Sequence, residues 1–269
     1  VDIICSIPTT QANYLSSADG VTVVGQPSTR VVWLQFNTIN GDSPVNDWKV
    51  RQALNYAIDR DSLIAGVLDG YAVKVASIST PEYNDYDASV QGYTYDPEKA
   101  KSLLAEAGYA DGFTVDLSVS GGFLNATDVV QAVASQLAEV GVTVNIQQED
   151  SATQRDKIMS GTVAPIFLNG LGGPYCDIDL IASIGFTKGA RYCTWDSDEF
   201  VDLASRAAAA VDDTERARLH SEMQQFMVDQ VPAVWLYQQD TLYAYNSAKV
   251  QNWTARTDEV VLMDGVSVQ

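Results

Sequence analysis

Few residues in this chain have both the type and the spacing to do chemistry. His220 is the only histidine among 269 residues. It falls mid-helix among Arg218, Glu222 and other polar residues, and reads as a solvated helix position rather than a catalyst. Asp177 and Asp179 stand two apart, and in a loop their carboxylates could ligate a cation. A hard cation needs several more oxygen ligands, and the sequence shows no such cluster, so no metal is expected. There is no Gly-x-Ser-x-Gly elbow, no Lys-bearing phosphate loop and no nucleophile–base pair. The chain is therefore read as non-enzymatic, with no cofactor. What remains is a loop suited to binding. Asn169-Gly-Leu-Gly-Gly-Pro-Tyr-Cys-Asp177 follows an apolar strand, Pro165 to Leu168. A Gly-rich loop at the C-terminal end of a strand lets a ligand approach backbone N–H groups closely. The competing reading is a plain tight turn.

The elements that would carry this loop alternate. Strands are expected at 21–24 and 31–36 around a Pro27-Ser28 turn, then helices over about 47–68. In the first of these, Val50, Ala53, Leu54, Ala57 and Ile58 fall on one apolar stripe. Asn46 or Asp47 caps its start, and Asp59 and Asp61 offer a second cap. A polar, aromatic stretch from Tyr71 to Tyr93 is too irregular for a regular element and is expected to wrap the surface. Helix 97–107, strand 113–119, helix 126–139, strand 142–148, helix 152–160 and strand 163–168 follow. Asp96 caps the first of these helices, Pro97 suits its first position and Gly108 its left-handed stop. Helices over 197–210 and 213–229 and strands over 233–237 and 241–245 close the chain. This alternation predicts an α/β fold with a largely parallel or mixed sheet.

Composition excludes some partners. Sixteen basic against 35 acidic residues give a net charge of −19. That argues against nucleic acid, whose phosphates need Lys and Arg, and against an anionic membrane surface. No window approaches a transmembrane span. The three cysteines lack metal-site spacing. Cys176 and Cys193 flank a 16-residue segment and could close a disulfide in an oxidising compartment, worth roughly 3 kcal/mol; two unrelated buried thiols are the alternative. Cys5 has no evident partner and reads as a buried strand residue.

Six motifs, in order, resemble one family. Phe36-Asn-Thr38, Pro44-Val-Asn-Asp47 and Val50 to Arg60 resemble the "FNT…P-(F/V)-x-D-x-x-VRQAL-x-YAIDR" run of extracytoplasmic solute-binding proteins that serve peptide, nickel and oligosaccharide ABC importers. Tyr95 to Tyr109 resembles the family's "YDPEKAKxLLAEAGY", and Gln136 to Val144 its "QLxxVGIxV". Tyr192 to Asp202 resembles "NYxxYSNPEVDxLL", Val231 to Tyr237 resembles "xxPxIPLY", and the Gly-rich loop resembles "GWxxDYxDPxxFL". Val1-Asp-Ile3 resembles a family strand that shortly precedes the crossover between lobes.

The resemblance implies a periplasmic-binding-protein-like lobe, a mixed sheet flanked by helices, plus remnants of the first lobe. Residues 1–29 would be the first-lobe remnant and crossover, 30–237 the second lobe, and 238–269 the return to the first lobe, the chain being a fragment that lacks most of lobe one. It implies a periplasmic or extracellular protein, lipid-anchored where its N-terminus carries an anchor. Such a protein captures a small solute by hinge closure and delivers it to a membrane permease. The ligand-binding residues it points to are Asn169, Leu171, Gly172, Gly173, Pro174, Tyr175 and Asp177, then Trp33 and Gln35, which share one face of the first strand after the crossover. Trp33 would stack on a sugar or an apolar side chain, or else pack in the lobe core. Two departures stand out. Where peptide-binding relatives place an Asp for the ligand's amino group, this chain has Pro174. Where dipeptide-binding relatives place an Arg for the carboxylate, Phe123 to Asp128 has none. An oligopeptide, an oligosaccharide or an opine-like compound then remain. A sensory or scaffold protein that presents a bound solute on the same fold is the alternative function.

Overall fold

The computed structural model describes residues 2–39, 41–172 and 177–268. Two long strands organise it. β2 (Val21–Phe36) and β7 (Ala233–Asn246) pair antiparallel from Val21↔Asn246 to Gln35↔Ala233. The break expected at Pro27-Ser28 is instead a register shift inside one continuous strand, between Pro27 and Val31. Ser28 Oγ donates to Gln239 O, and Gln238 Nε2 donates to Ser28 O, both at 2.6 Å, so the bulge keeps its backbone groups paired. On one side of this pair β6 (Ile166–Leu171) runs antiparallel to β2, and β4 (Phe113–Ser120) and β5 (Val142–Glu149) continue the sheet in parallel. On the other side β1 (Ile3–Cys5) and β3 (Ala72–Lys74) pair with different stretches of β7. The sheet is mixed, as the alternation of elements implied.

The side-chain period of two sorts β2 onto two cores. Val32, Leu34 and Phe36 face one layer, with α2 (Trp48–Tyr56), α3 (Arg60–Val67), α4 (Pro97–Glu106) and α5 (Ala126–Ala138) packed over them. Val31 and Trp33 face the other, covered by α7 (Ile178–Ile181), α8 (Asp198–Ala209) and α9 (Asp213–Gln230). α1 (Thr9–Ser16) lies against the outer ends of β2 and β7, where Ile7, Ala12, Leu242 and Ala244 form a small separate cluster. α6 (Ser151–Met159) connects β5 to β6. The stretch from Tyr71 to Tyr93 is irregular apart from β3, but it does more than wrap the surface. Val75, Ile78 and Tyr83 are buried in the second core, and Gln224 of α9 donates to Asp85 O and accepts from Asp87 N.

The helices expected over 47–68 are α2 and α3, and Asp59 with Arg60 makes the division between them. Asp59 caps α3 by accepting from Ser62 N at 3.0 Å. Arg60, the first residue of α3, then turns inward. Its guanidinium donates to Asn55 O (3.1 Å) and Ile58 O (3.2 Å) at the end of α2, and to Trp235 O of β7 (2.6 Å). Arg51 does the same from α2, donating to Val45 O and Asn46 O (both 3.1 Å) and Val231 O (2.9 Å). Val231 has a φ of 50°, a left-handed conformation that a β-branched residue rarely adopts. Both arginines are buried, and burial lowers each pKa to about 10, with nearby aspartates opposing that shift. Arg60→Ala should destabilise the fold by about 3 kcal/mol, because it strands several buried carbonyls. Arg60→Lys should restore less than half of that, lacking the planar fork. Urea denaturation of the three proteins measures this, and a loss below about 1 kcal/mol for the alanine variant would contradict it.

Candidate functional site

A cleft of about 460 Å³ opens where β2 and β7 pass the bulge. Arg30 comes from the bulge itself, and Asp240, Thr241 and Leu242 come from β7. Phe123, Leu124 and Asn125 come from the turn between β4 and α5, and Glu259 from the chain beyond β7. Each wall is fastened. Leu124 N donates to Gln239 Oε1 at 3.0 Å. Asn125 has a φ of 50° and spends its amide on Thr9 Oγ1 (2.8 Å) and Val67 O (2.7 Å). Arg30 grips Glu259 through two bonds, Nε to Oε1 at 3.2 Å and Nη2 to Oε2 at 2.8 Å. This two-point pairing is the strong geometry for a guanidinium and a carboxylate.

That pairing commits the positive charge of Arg30 to Glu259. Asp240 has no ion-pair partner among the described residues, and its Oδ1 is buried without a hydrogen-bond partner. Burial, helped by the negative charge of Glu82, pushes its pKa up to about 6. A second hollow of about 310 Å³, between Ile58–Asp61 and Tyr86–Tyr95, has no such orphaned atom in its lining among the described residues. The crossover cleft is therefore the place where a ligand would relieve an unfavourable state of the protein.

The residues expected to bind ligand are distributed unevenly around this cleft. Gly170 and Gly172 support it by close approach. A Cβ on Gly172 would sit 2.4 Å from Arg30 Cα, and one on Gly170 would sit 2.8 Å from Phe123 Cε1. Leu171 packs partly buried against the second core. Trp33 and Gln35 require correction: both are fully buried and face the second core rather than an open cleft. Trp33 lies between Phe186 and Trp235 at centroid distances of 5.6 and 5.4 Å. Gln35 Oε1 accepts from Trp33 Nε1 (3.1 Å) and Asn169 Nδ2 (2.8 Å), while its Nε2 donates to Tyr192 O (2.9 Å). Asn169 thus belongs to an internal polar network. Asp177 caps α7 through Asp179 N at 2.7 Å and lines a different hollow.

Gly173, Pro174, Tyr175 and Cys176 lie outside the described residues. Cys193 is a free thiol that donates to Trp195 O at 2.7 Å, and burial raises its pKa to about 11. The expected Cys176–Cys193 disulfide involves Cys176, which lies outside the described residues. Cys5 is exposed rather than buried, because β1 is a short edge strand. His220 is the other correction. It is 1% exposed, since it falls within the buried face of α9 with Leu219, Met223 and Met227.

Arg30, Asp240 and Glu259 were missed as a group because they meet only in three dimensions. Two variants test the geometry. Gly172→Ala should destabilise by about 2 kcal/mol or more, since its methyl group meets backbone at Arg30. Asp240 has a folded pKa of about 6, above its ordinary 3.8. The stability it contributes is therefore present with the carboxyl protonated, below its ordinary pKa, and is lost as pH rises through about 6. Asp240→Asn should then gain about 1–2 kcal/mol over the parent near neutral pH and almost nothing near about pH 4, read from denaturation curves. Equal effects at both pH values would contradict the assignment.

Comparison with known proteins identifies the fold and the family. The model of bacterial extracellular solute-binding proteins, family 5, middle region, matches residues 1–191. The dipeptide-binding protein of Escherichia coli is 32% identical over 223 residues, which cover 80% of this chain and 41% of that protein. The glutathione-binding protein of Pectobacterium atrosepticum is 30% identical over 262 residues, or 94% of this chain and 50% of that protein. This chain thus spans about half the length of the curated relatives it matches. A dipeptide-binding protein from Pseudoalteromonas sp. SM9913, solved with Met-Leu, covers all of this chain with a TM-score of 0.88 at 23% identity, over 54% of its own length. The family match extends over most of the chain, and the solved structure shares its fold; this chain belongs to the bacterial extracellular solute-binding proteins of family 5.

Proposed function

We propose that this chain is part of the substrate-binding component of an ABC importer, and that its crossover cleft holds a small solute bearing a protonated nitrogen. Residues 30–237 form the second lobe on this reading, and residues 1–29 and 238–269 belong to the first. The observation that carries the proposal is Asp240: a carboxylate with an orphaned oxygen in a cleft whose arginine is already paired. A cationic nitrogen placed there supplies the missing partner and a charge-assisted hydrogen bond. Phe123, Leu124 and Leu242 offer apolar surface beside it, the mixture expected of a small-molecule site.

The lack of the usual amine anchor at Pro174 fits this reading, since Asp240 carries that role from another strand. Peptides and opine-like compounds satisfy the requirement, and neutral oligosaccharides do not. E. coli's dipeptide-binding protein and P. atrosepticum's glutathione-binding protein are relatives of this kind by name. The protein works outside the cytoplasm on this reading and hands its solute to a membrane permease. Among the described residues no helix is long and apolar enough to cross a membrane.

Thermal-shift and native mass spectrometry on the longest form its gene encodes test the proposal, with panels of short peptides, opine-like compounds and neutral oligosaccharides. Amine-bearing solutes should stabilise the protein, and Asp240→Asn should weaken their binding at least tenfold, about 1.4 kcal/mol. Stabilisation by a neutral oligosaccharide, undiminished in Asp240→Asn, would contradict it. Binding of no solute from any panel would contradict it too.

A further inference from the structure

A second cluster of chemistry-bearing side chains shares no residue with the cleft lining. His220 of α9 is buried beneath two other segments. Its Nε2 lies 3.1 Å from Asp179 Oδ1 on α7. Its Nδ1 lies 2.8 Å from Asp85 Oδ2, in the irregular stretch after β3. The second contact is out of line for a hydrogen bond, and both Nδ1 and Asp85 Oδ1 are buried without a hydrogen-bond partner. The side chains of His220 and Asp85 are only 2% and 9% exposed. Asp177 brings a third group: one ligand atom each from Asp85, Asp177 and His220 lie within 4.8 Å of one another. The neighbouring Asp87 is already committed to Ser221 Oγ and Ser89 N.

Two buried polar atoms without a hydrogen-bond partner in one cluster are costly unless something satisfies them. A histidine held through one ring nitrogen by a carboxylate, with the other nitrogen turned toward further carboxylates, is the arrangement of a metal-ligating imidazole and its orienting partner. The geometry points to a binding site for a zinc-type divalent cation, with His220 Nδ1, Asp85 and Asp177 as ligands and Asp179 as the residue that orients His220. One imidazole with two carboxylates suits zinc, which accepts nitrogen and oxygen; calcium and magnesium prefer all-oxygen sites. Zinc–ligand distances of about 2.0–2.2 Å place ligand atoms about 3.3 Å apart, so the cluster must tighten. Asp177, the exposed member, has the freedom to do so. An open hollow of about 530 Å³ borders the cluster on the side of Asp177 and Asp179. The bound ion would tie three segments together: the stretch after β3, the start of α7 and the middle of α9.

The test is zinc binding by the metal-free chain, followed by isothermal titration and by elemental analysis after dialysis, with calcium and magnesium in parallel. The expected result is one zinc per chain, a raised melting temperature with zinc and no comparable response to calcium or magnesium. Asp177→Asn keeps a side chain able to cap α7 and should weaken zinc binding at least tenfold; Asp85→Asn should weaken it further. Absence of stoichiometric zinc would overturn the site and leave His220 as a buried imidazolium between two carboxylates. Zinc bound with unchanged affinity by Asp177→Asn would overturn it too, whether or not the Asp85 variant folds.

Discussion

The antiparallel pairing of β2 with β7 is the constraint on which the other elements depend. β1, β3 and β6 pair directly with one of these two, and β4 and then β5 extend the sheet from β6. Both helical layers pack against residues that alternate along them. Backbone pairing alone would leave α2 and α3 free to slide over the sheet. Arg51 and Arg60 prevent this by donating to carbonyls on or just before β7. Each is a buried cation satisfied chiefly by backbone dipoles, an arrangement that is stable only if every donor is aimed. The "VRQAL-x-YAIDR" string thus has a physical meaning: its two arginines clamp a pair of helices to the crossover strand.

The same pair of strands builds the cleft. The register shift at the bulge turns Arg30 outward to Glu259, and Glu259 adopts a left-handed φ of 60° there. Gly172 lets the end of β6 lie against Arg30, and Gly170 lets β6 lie against Phe123. The Gly-rich segment therefore does part of its work by close approach of protein to protein. Asp240 introduces a cost at the centre of this assembly, a carboxylate whose ionisation burial opposes. Sites that bind by charge commonly carry such a cost when empty.

Local signals made most of the fold legible. Asp96 with Pro97 and the alternation over 113–119 marked elements that the structure contains to within a residue or two. The turn expected at Pro27-Ser28 failed because β7 supplies partners on both sides of it, so tertiary pairing overrode a local breaker. Face assignment was legible only in part. Alternation grouped Trp33 with Gln35, but nothing local says which layer that face meets, and it meets the core. His220 looked solvated because its sequence neighbours are polar, whereas its helical neighbours Met223 and Met227 are buried. The cleft was least legible. Arg30, Phe123, Asp240 and Glu259 lie far apart along the chain, and no periodicity links them.

The central claim is that solute binds at the crossover, on Asp240. The most direct measurement is a crystal structure of the longest form of the protein with a bound amine-bearing solute. The solute's nitrogen is expected within about 3 Å of the Asp240 carboxylate, with Arg30 still paired to Glu259. A solute seated elsewhere, with the Asp240 oxygen satisfied by a cationic side chain of the protein itself, would contradict it.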